Sequence, residues 1–133
     1  MRGAVHHIDL TVIDLATSTP FYDRVLVFLG YRPTRDDAVG SNWELRDAGR
    51  LVCEVDIRPA RSDRPHDRYS AGLHHLAWHA ESRADVDRLH ELLLRMGASV
   101  LDAPADYPQY GAGYYAVFFA DPDGLKLEFV HWS

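Results

Sequence analysis

The chain contains 133 residues, 47% of them hydrophobic and 26% charged, and its formal net charge at pH 7 is −6. This length fits one domain or two small units that share a core, and the apolar content excludes a wholly disordered chain. The chain is acidic and has Lys126 as its only lysine, so it lacks the basic residues that nucleic-acid binding requires. Its single cysteine, Cys53, excludes a disulfide framework and a CxxC metal site.

Neither membrane insertion nor export is predicted. No apolar run approaches the roughly 18 residues of a transmembrane helix, and residues 1–9 lack the apolar core of a signal peptide. We therefore expect a cytoplasmic protein that binds no membrane. The composition also includes eight histidines, which stand out in an acidic chain.

The first predicted element is a strand over residues 6–13, where apolar and polar side chains alternate. Residues 17–29 are expected to form a helix. Ser18 or Thr19 would cap this helix, and Pro20 would lie in its first turn, where a missing N–H is least costly.

Three short strands are expected next, near residues 31–35, 42–46 and 50–57. The last two flank residues 47–49, whose Asp-Ala-Gly composition is typical of a hairpin turn. Residues 58–72 are polar and contain proline and arginine, so we expect them to connect two halves of the chain.

The second half repeats this order, beginning with a strand over residues 74–80. A helix is predicted from Ser82, its N-cap, to Met96, with Asp85 as the capping-box partner and Gly97 as the stop. The apolar residues of this helix form one stripe, as expected of a helix that covers a sheet: Val86, Leu89, Leu93 and Met96.

Three further strands complete the chain, near residues 98–102, 114–120 and 125–131. The halves also share sequence, because residues 6–10 resemble 74–78 and residues 51–55 resemble 125–129. A duplicated unit of strand, helix and three strands explains both observations. We therefore predict an α+β fold with helices covering one face of the sheet.

Strand alternation places matching histidines and glutamates on the face that the helices leave uncovered. His7 matches His75 across the repeat, and Glu54 likewise matches Glu128. If the halves pack as a pseudo-symmetric pair, these side chains converge, and their nitrogen and oxygen atoms suit Zn²⁺, Ni²⁺, Fe²⁺ or Mn²⁺. Three of them would form the 2-His-1-carboxylate triad of non-haem iron oxygenases. Asp56 shares the face of Glu54 and makes that assignment the least secure.

A solvated polar face would explain any one of these residues alone, whereas the match across the repeat favours a shared site. His6 and His74 have the opposite parity and are expected at strand starts, where support of a neighbouring metal ligand is the less favoured role. His79 lies on the same face as His75 and is expected in a pocket wall, and Asp56 is also a candidate pocket residue. Cys53 is expected to face the helix as a small core residue.

Residues 103–115 are rich in tyrosine and glycine, a composition typical of a pocket loop. Tyr107, Tyr110 and Tyr115 are its candidate pocket residues. A surface turn or a dimer interface would explain these tyrosines equally well.

Short motifs spread over the chain add a family resemblance. They are His-Ile-Asp-Leu-Thr-Val (7–12), Asp-Leu (14–15), Phe-Tyr (21–22), Leu-Gly-Tyr (29–31), Gly-Leu-His-His-Leu-Ala-Trp (72–78) and Asp-Pro-Asp-Gly-Leu-Lys-Leu-Glu (121–128). In this order they resemble the vicinal oxygen chelate superfamily, which includes glyoxalase I, bleomycin- and fosfomycin-resistance proteins and extradiol dioxygenases. The Asp-Pro-Asp-Gly turn followed by a strand and glutamate is the most specific of them.

The resemblance implies two βαβββ modules in tandem, about 1–60 and 72–133, forming a cupped mixed sheet with the helices on its outer face. It implies a homodimer that acts on a small molecule, and one divalent metal ion without an organic cofactor. The implied metal ligands are His7, Glu54, His75 and Glu128. Whether one site uses two modules of one chain or of two chains is left open.

Two classes of function follow. The first is a metal-dependent enzyme of glyoxalase or dioxygenase type, with isomerase, lyase or dioxygenase chemistry and with Glu128 or Glu54 as the catalytic carboxylate. The second is a metal-free binding protein similar to the bleomycin-resistance proteins, for which the acidic charge would suit a cationic ligand. The retained His and Glu set favours the first class. A dimeric interaction module with a vestigial site is a third explanation.

The chain also departs from two members of that superfamily. It has no evident set of basic residues for the two carboxylates of glutathione, which argues against a strict lactoylglutathione lyase. It also lacks the extra pair of modules typical of the larger extradiol dioxygenases.

Overall fold

The computed structural model describes residues 1–133. The chain divides into two compact units, unit 1 (Met1–Arg64) and unit 2 (Pro65–Ser133), and each has one helix and its own four-stranded sheet. Neither helix is long and apolar enough to cross a membrane.

Unit 1 contains β1 (His7–Val12), α1 (Leu15–Phe28), β2 (Arg32–Asp36), β3 (Ser41–Asp47) and β4 (Arg50–Pro59). The strands lie in the order β1-β4-β3-β2, with β1 and β4 parallel and the other neighbours antiparallel. The turn between β3 and β4 is formed by Ala48 and Gly49, which both have positive φ, as a two-residue type I′ hairpin requires. Because the first and last strands of the unit are neighbours, His7 and Glu54 lie side by side.

Unit 2 contains β5 (His75–His79), α2 (Arg83–Met96), β6 (Ser99–Asp106), β7 (Tyr115–Ala120) and β8 (Lys126–His131). Its strand order is β5-β8-β7-β6, again with the first and last strands parallel and the others antiparallel. The predicted fold class is therefore confirmed as two βαβββ modules, each with a mixed sheet. The strand over 98–102 is longer than predicted and extends to Asp106.

The cores form between each helix and one face of its own sheet, as the strand alternation predicts. Buried side chains of unit 1 that lie there are Leu10, Val12, Tyr22, Val25, Leu26, Trp43, Val55 and Ile57. Their counterparts in unit 2 are Val86, Leu89, Leu92, Leu93, Val117, Phe119, Leu127 and Phe129. Cys53 shares the strand face of Val55 and is half-buried.

The start of α1 differs from the prediction. Asp14 is the N-cap: its carboxylate accepts a hydrogen bond from the Ala16 N–H and another from the Thr17 hydroxyl. The predicted cap Ser18 is instead buried within the helix, and Pro20 lies inside the helix rather than in its first turn. The helix begins earlier because the Asp14 carboxylate already satisfies a donor that the first turn leaves free.

The ends of α2 confirm the prediction more closely. The Ser82 hydroxyl accepts from the Asp85 N–H, and Gly97 ends the helix in the left-handed conformation with φ of 67°. The Asp85 carboxylate reaches back to the N–H of Glu81, one residue before the position that a capping box uses.

The two sheets differ in the register of their parallel strands. In unit 1, His7 pairs with Glu54; in unit 2, His75 pairs with Lys126, and Glu128 pairs with Ala77 two positions further on. By register, the position of Glu128 therefore corresponds to that of Asp56, and the sequence match between Glu54 and Glu128 is not an exact structural one. All of these side chains remain on the sheet face that the helices do not cover.

Candidate functional site

In unit 1, the predicted ligands His7 and Glu54 lie on adjacent strands in direct register. His7 is exposed and Glu54 is half-buried. No hydrogen bond or ion pair engages the Glu54 carboxylate. This pair offers one imidazole nitrogen and one carboxylate on a single sheet face.

Asp56 shares this face but is held by cations. Its carboxylate lies 3.5 Å from a guanidinium nitrogen of Arg35 and 3.6 Å from one of Arg58, and it accepts a hydrogen bond of 3.4 Å from the Asn42 amide. Arg58 also lies 3.4 Å from the carboxylate of Asp9, the register partner of Asp56. Arg58 thus bridges two adjacent carboxylates, which lowers their mutual repulsion. Glu54 is left as the carboxylate without a cationic partner beside His7.

In unit 2, the carboxylate of Glu128 is buried, with the residue only 2% exposed. Its Oε2 lies 3.2 Å from Nε2 of His75, and its Oε1 accepts a short hydrogen bond from the Tyr114 hydroxyl. Because of the register, His75 meets Glu128 diagonally rather than directly across the strands. Both carboxylate oxygens therefore have a partner, and neither partner is an arginine or a lysine.

An apolar, aromatic surface surrounds this carboxylate. Phe118 is the register partner of Glu128. It forms a small apolar cluster with Ala116 and Val130, and Tyr107 and Tyr114 pack against this cluster. Loss of solvent, and then the hydrogen bond to Glu128, raise the pKa of the Tyr114 hydroxyl. Loss of solvent, followed by the charge of Asp102, also raises the pKa of Tyr107. Both hydroxyls therefore stay protonated, and that of Tyr114 remains a donor to the carboxylate.

Removing the Tyr114 hydroxyl is expected to destabilise unit 2. Tyr114→Phe leaves Oε1 of Glu128 without its donor in a buried position, which costs about 1–3 kcal/mol of unfolding free energy. Tyr115→Phe is the matched control, because the Tyr115 hydroxyl donates over 2.6 Å to the exposed Asp87, where water can replace it. Urea denaturation of both variants measures the difference, and the control is expected to change by less than about 0.5 kcal/mol. Equal losses in the two variants would contradict a special role for Tyr114.

The histidines that precede the two predicted ligands contact them in the same way in both units. Nδ1 of His6 lies 2.9 Å from Nδ1 of His7, and Nδ1 of His74 lies 2.8 Å from Nδ1 of His75. From their parity, His6 and His74 are expected at strand starts, with support of the neighbouring ligand as the less favoured role. Both precede their strands, so strand alternation does not apply to them. Desolvation, and then the charges of His75, Lys126 and Arg68, lower the pKa of His74.

The remaining predicted pocket residues of unit 2 lie in different places. Tyr107 and Tyr110 stack on each other with ring centroids 5.6 Å apart. Tyr115 lies on the helix-covered face, where its ring is 3.9 Å from the guanidinium of Arg83. His79 is exposed at the end of β5, on the strand face of His75.

Tyr114 was not among the predicted site residues, although its segment was. Tyr114 lies just before β7, and neighbouring residues of a strand point to opposite faces. The alternation of the following strand, with Val117 and Phe119 in the core, places Tyr115 on the core face. That alternation was the available signal for choosing Tyr114 over Tyr115.

The donor atoms fit a divalent cation in their chemistry. Nitrogen and oxygen ligands about 2.0–2.2 Å from one Zn²⁺ lie roughly 3–3.5 Å from each other, and the His75 and Glu128 donor atoms are 3.2 Å apart. Each unit offers one imidazole and one carboxylate on the uncovered face of its sheet, and no group of three or more His, Cys, Asp or Glu side chains is gathered for a metal ion.

Comparison with known proteins identifies the family that this fold and these side chains define. Residues 4–129 match the model of the Glyoxalase/Bleomycin resistance protein/Dioxygenase superfamily, and the chain belongs to that superfamily. The predicted resemblance to vicinal oxygen chelate proteins is thereby confirmed.

The chain is also similar to individual proteins over most of its length. The uncharacterized protein YqjT of Bacillus subtilis is 39% identical over 126 residues, covering 95% of this chain and 97% of its own. The uncharacterized protein YaeR of Escherichia coli is 33% identical over 129 residues, covering 93% and 92%. A crystal structure of a provisionally named glyoxalase from Bacillus halodurans superposes with a TM-score of 0.82 at 29% identity, covering 98% and 97% of the two chains.

Proposed function

We propose that the protein is a divalent-metal-dependent enzyme of glyoxalase or dioxygenase type, and that His7, Glu54, His75 and Glu128 are the ligands of one cation. Zn²⁺, Ni²⁺, Fe²⁺ and Mn²⁺ are the candidates, because each accepts imidazole and carboxylate ligands. The substrate is a small metabolite with vicinal oxygens, as the family suggests. The reaction is an isomerisation, a lyase reaction or a dioxygenation.

The burial of Glu128 is the observation that carries the proposal. A buried carboxylate is costly unless charges or hydrogen bonds compensate it. Asp56 in unit 1 is compensated by two arginines, whereas Glu128 has no Arg or Lys partner and relies on an imidazole and a phenol. A cation bound by Glu128 and His75 would supply the missing positive charge.

The residues around the ligands have separate roles in the proposed reaction. A divalent cation supplies Lewis-acid polarisation of substrate oxygens and stabilises the negative charge that develops on them. The carboxylate of Glu128 or Glu54 moves the proton on the substrate carbon that is adjacent to the polarised oxygen-bearing group. Tyr114 donates to Oε1 of Glu128 and holds the carboxylate plane, while Oε2 of Glu128 and Nε2 of His75, 3.2 Å apart, would both ligate the cation.

The pocket and the assembly are part of the same proposal. Tyr107 and Tyr110 present a stacked aromatic surface next to Phe118, with Tyr110 56% exposed, and this surface suits the apolar part of a substrate. His79 and Asp56 remain proposed pocket residues, whereas Tyr115 lies on the helix-covered face, opposite to the face of Glu128. We further propose that the protein acts in the cytoplasm as a homodimer.

The aromatic surface also favours a second candidate function, metal-free binding of a small aromatic or cationic molecule. A binding protein of this kind needs the tyrosines but not the His and Glu pairs. Thermal denaturation with and without a chelator separates the two functions, because a metal enzyme loses stability on chelation. A binding protein retains its melting temperature.

Metal analysis of protein purified without an affinity tag tests the proposed enzyme directly. Wild type is expected to retain a divalent cation, whereas His7→Ala and Glu128→Ala lose most of it because each lacks one ligand. His66→Ala, which removes an exposed imidazole from the connector, is the matched control and is expected to keep the wild-type content. Elemental mass spectrometry gives the content, and circular dichroism verifies folding. Equal metal content in all four proteins would contradict the proposal.

A further inference from the structure

The contact between neighbouring histidines occurs twice, with the same atoms in both units. In each unit the exposed histidine before the strand places its Nδ1 within 2.9 Å of Nδ1 of the proposed ligand. The backbone fixes His6, whose carbonyl accepts the N–H of Glu54 over 2.9 Å. The ring of Tyr69 contacts the ring of His74 edge-on at 5.6 Å. The same contact is therefore present in both copies of the duplicated unit.

Such a contact restricts where the protons lie. A neutral imidazole has one N–H donor and one bare nitrogen acceptor, so two Nδ1 atoms at this distance share one proton. One ring of each pair therefore carries its proton on Nδ1, and the other carries it on Nε2. A metal ligand must offer a bare nitrogen, which is Nε2 when Nδ1 holds the proton.

We propose that His6 and His74 are positioning residues that hydrogen-bond to Nδ1 of His7 and His75, orient these two rings, and accept hydrogen bonds from their Nδ1 protons when Nε2 binds a divalent cation. The inference rests on the proposed function, since it assigns the outer partner that each metal-ligating histidine needs. The partner here is a second imidazole rather than the more usual carboxylate or carbonyl oxygen.

An imidazole partner differs from those oxygens because it can both accept and donate. Consider unit 2 with no metal bound and both rings neutral. Nε2–H of His75 donates to Glu128, so Nδ1 of His75 is bare and accepts a hydrogen bond from Nδ1–H of His74. When Nε2 of His75 is bare, the proton of that ring lies on Nδ1, and His74 accepts it with its own proton on Nε2. The two rings carry two protons in both states. The hydrogen bond between them persists, so the orientation of His75 is kept.

Nitrogen NMR of histidine-labelled protein tests the tautomers without any assay of activity. Two-bond ¹H–¹⁵N spectra are recorded at about pH 8, above the ordinary histidine pKa near 6.5, so that the rings are neutral. In metal-free wild type, one ring of each pair is expected to carry the Nδ1 proton. With Zn²⁺ added, His7 and His75 are expected to carry it. Protons on Nε2 of both rings of a pair in the metal-free protein would overturn the inference.

The affinity for Zn²⁺ supplies the second readout. His6→Ala and His74→Ala are expected to weaken Zn²⁺ binding about 10- to 100-fold, the usual effect of losing an outer partner, with little change in melting temperature because both residues are exposed. His66→Ala is the control and is expected to bind as wild type does. Wild-type affinity in both variants would overturn this inference alone. Failure of the wild type to bind Zn²⁺ would instead overturn the proposed function, and this inference with it.

Discussion

Replacing Glu128 by glutamine is expected to stabilise the metal-free protein and to abolish its stabilisation by a divalent cation. The carboxylate is 2% exposed and has no Arg or Lys partner, so without a cation it is a buried charge that only His75 and Tyr114 compensate. Glutamine keeps the shape, an oxygen acceptor for Tyr114 and an N–H donor for His75. Removing the charge is expected to raise the free energy of unfolding by about 1–2 kcal/mol.

Thermal denaturation in chelator and in excess Zn²⁺ measures both effects. For a chain of this size the expected gain in chelator is roughly 3–8 °C. Wild type gains about 2.7 kcal/mol at a metal concentration 100 times its dissociation constant, and the glutamine variant is expected to gain almost nothing. Glu54→Gln serves as the control for the first effect, because Glu54 is less buried and its melting temperature in chelator is expected to stay near that of wild type.

A change of the opposite sign in the unfolding free energy of metal-free Glu128→Gln would contradict the first expectation. A loss of stability in Glu128→Gln without metal would mean that the His75 and Tyr114 contacts fully compensate the carboxylate. The burial of Glu128 would then have a structural explanation and would no longer support a cation site. Glu128→Ala, which deletes the acceptor of Tyr114 as well, is expected to be destabilising by about 2–3 kcal/mol in either case.

The parts of the fold that the sequence predicted are those with local causes. The ends of α2 depend on Ser82 and Gly97, whose roles follow from one hydroxyl and one left-handed residue. The start of α1 was mispredicted because several residues there can cap, and Asp14 satisfies the free N–H group of Ala16 before Ser18 is reached. Competing local signals of similar strength are decided by the fold around them.

The candidate site was predictable to the level of the strand face. The period of two places His7 and Glu54, and likewise His75 and Glu128, on the uncovered face of their sheets, as the structure has them. The register could not be predicted, because it depends on how two strands far apart in the chain align. The contact of the Tyr114 hydroxyl with Glu128 could not be predicted for the same reason, since it arises from the pairing of β7 with β8.

The strongest test of the four proposed ligands is the number of cations that one chain binds. If all four residues ligate one cation, the wild-type protein binds one Zn²⁺ per chain. His7→Ala and His75→Ala are then each expected to lower the affinity for Zn²⁺ by at least about 100-fold, which exceeds the usual effect of losing an outer hydrogen-bond partner. If the pairs instead bind separately, wild type binds two per chain, and each variant keeps one site with unchanged affinity.

Isothermal titration of the metal-free protein with Zn²⁺ distinguishes these outcomes in one experiment. Two ligands leave a cation mostly hydrated, whereas four nitrogen and oxygen donors complete a tetrahedral zinc shell. A pair such as His75 and Glu128 is therefore expected to be weak alone, although its donor atoms lie 3.2 Å apart. The expected result is one cation per chain in wild type and a similar large loss of Zn²⁺ affinity in His7→Ala and His75→Ala. Independent sites would contradict the shared cation and would leave the two units with separate binding functions.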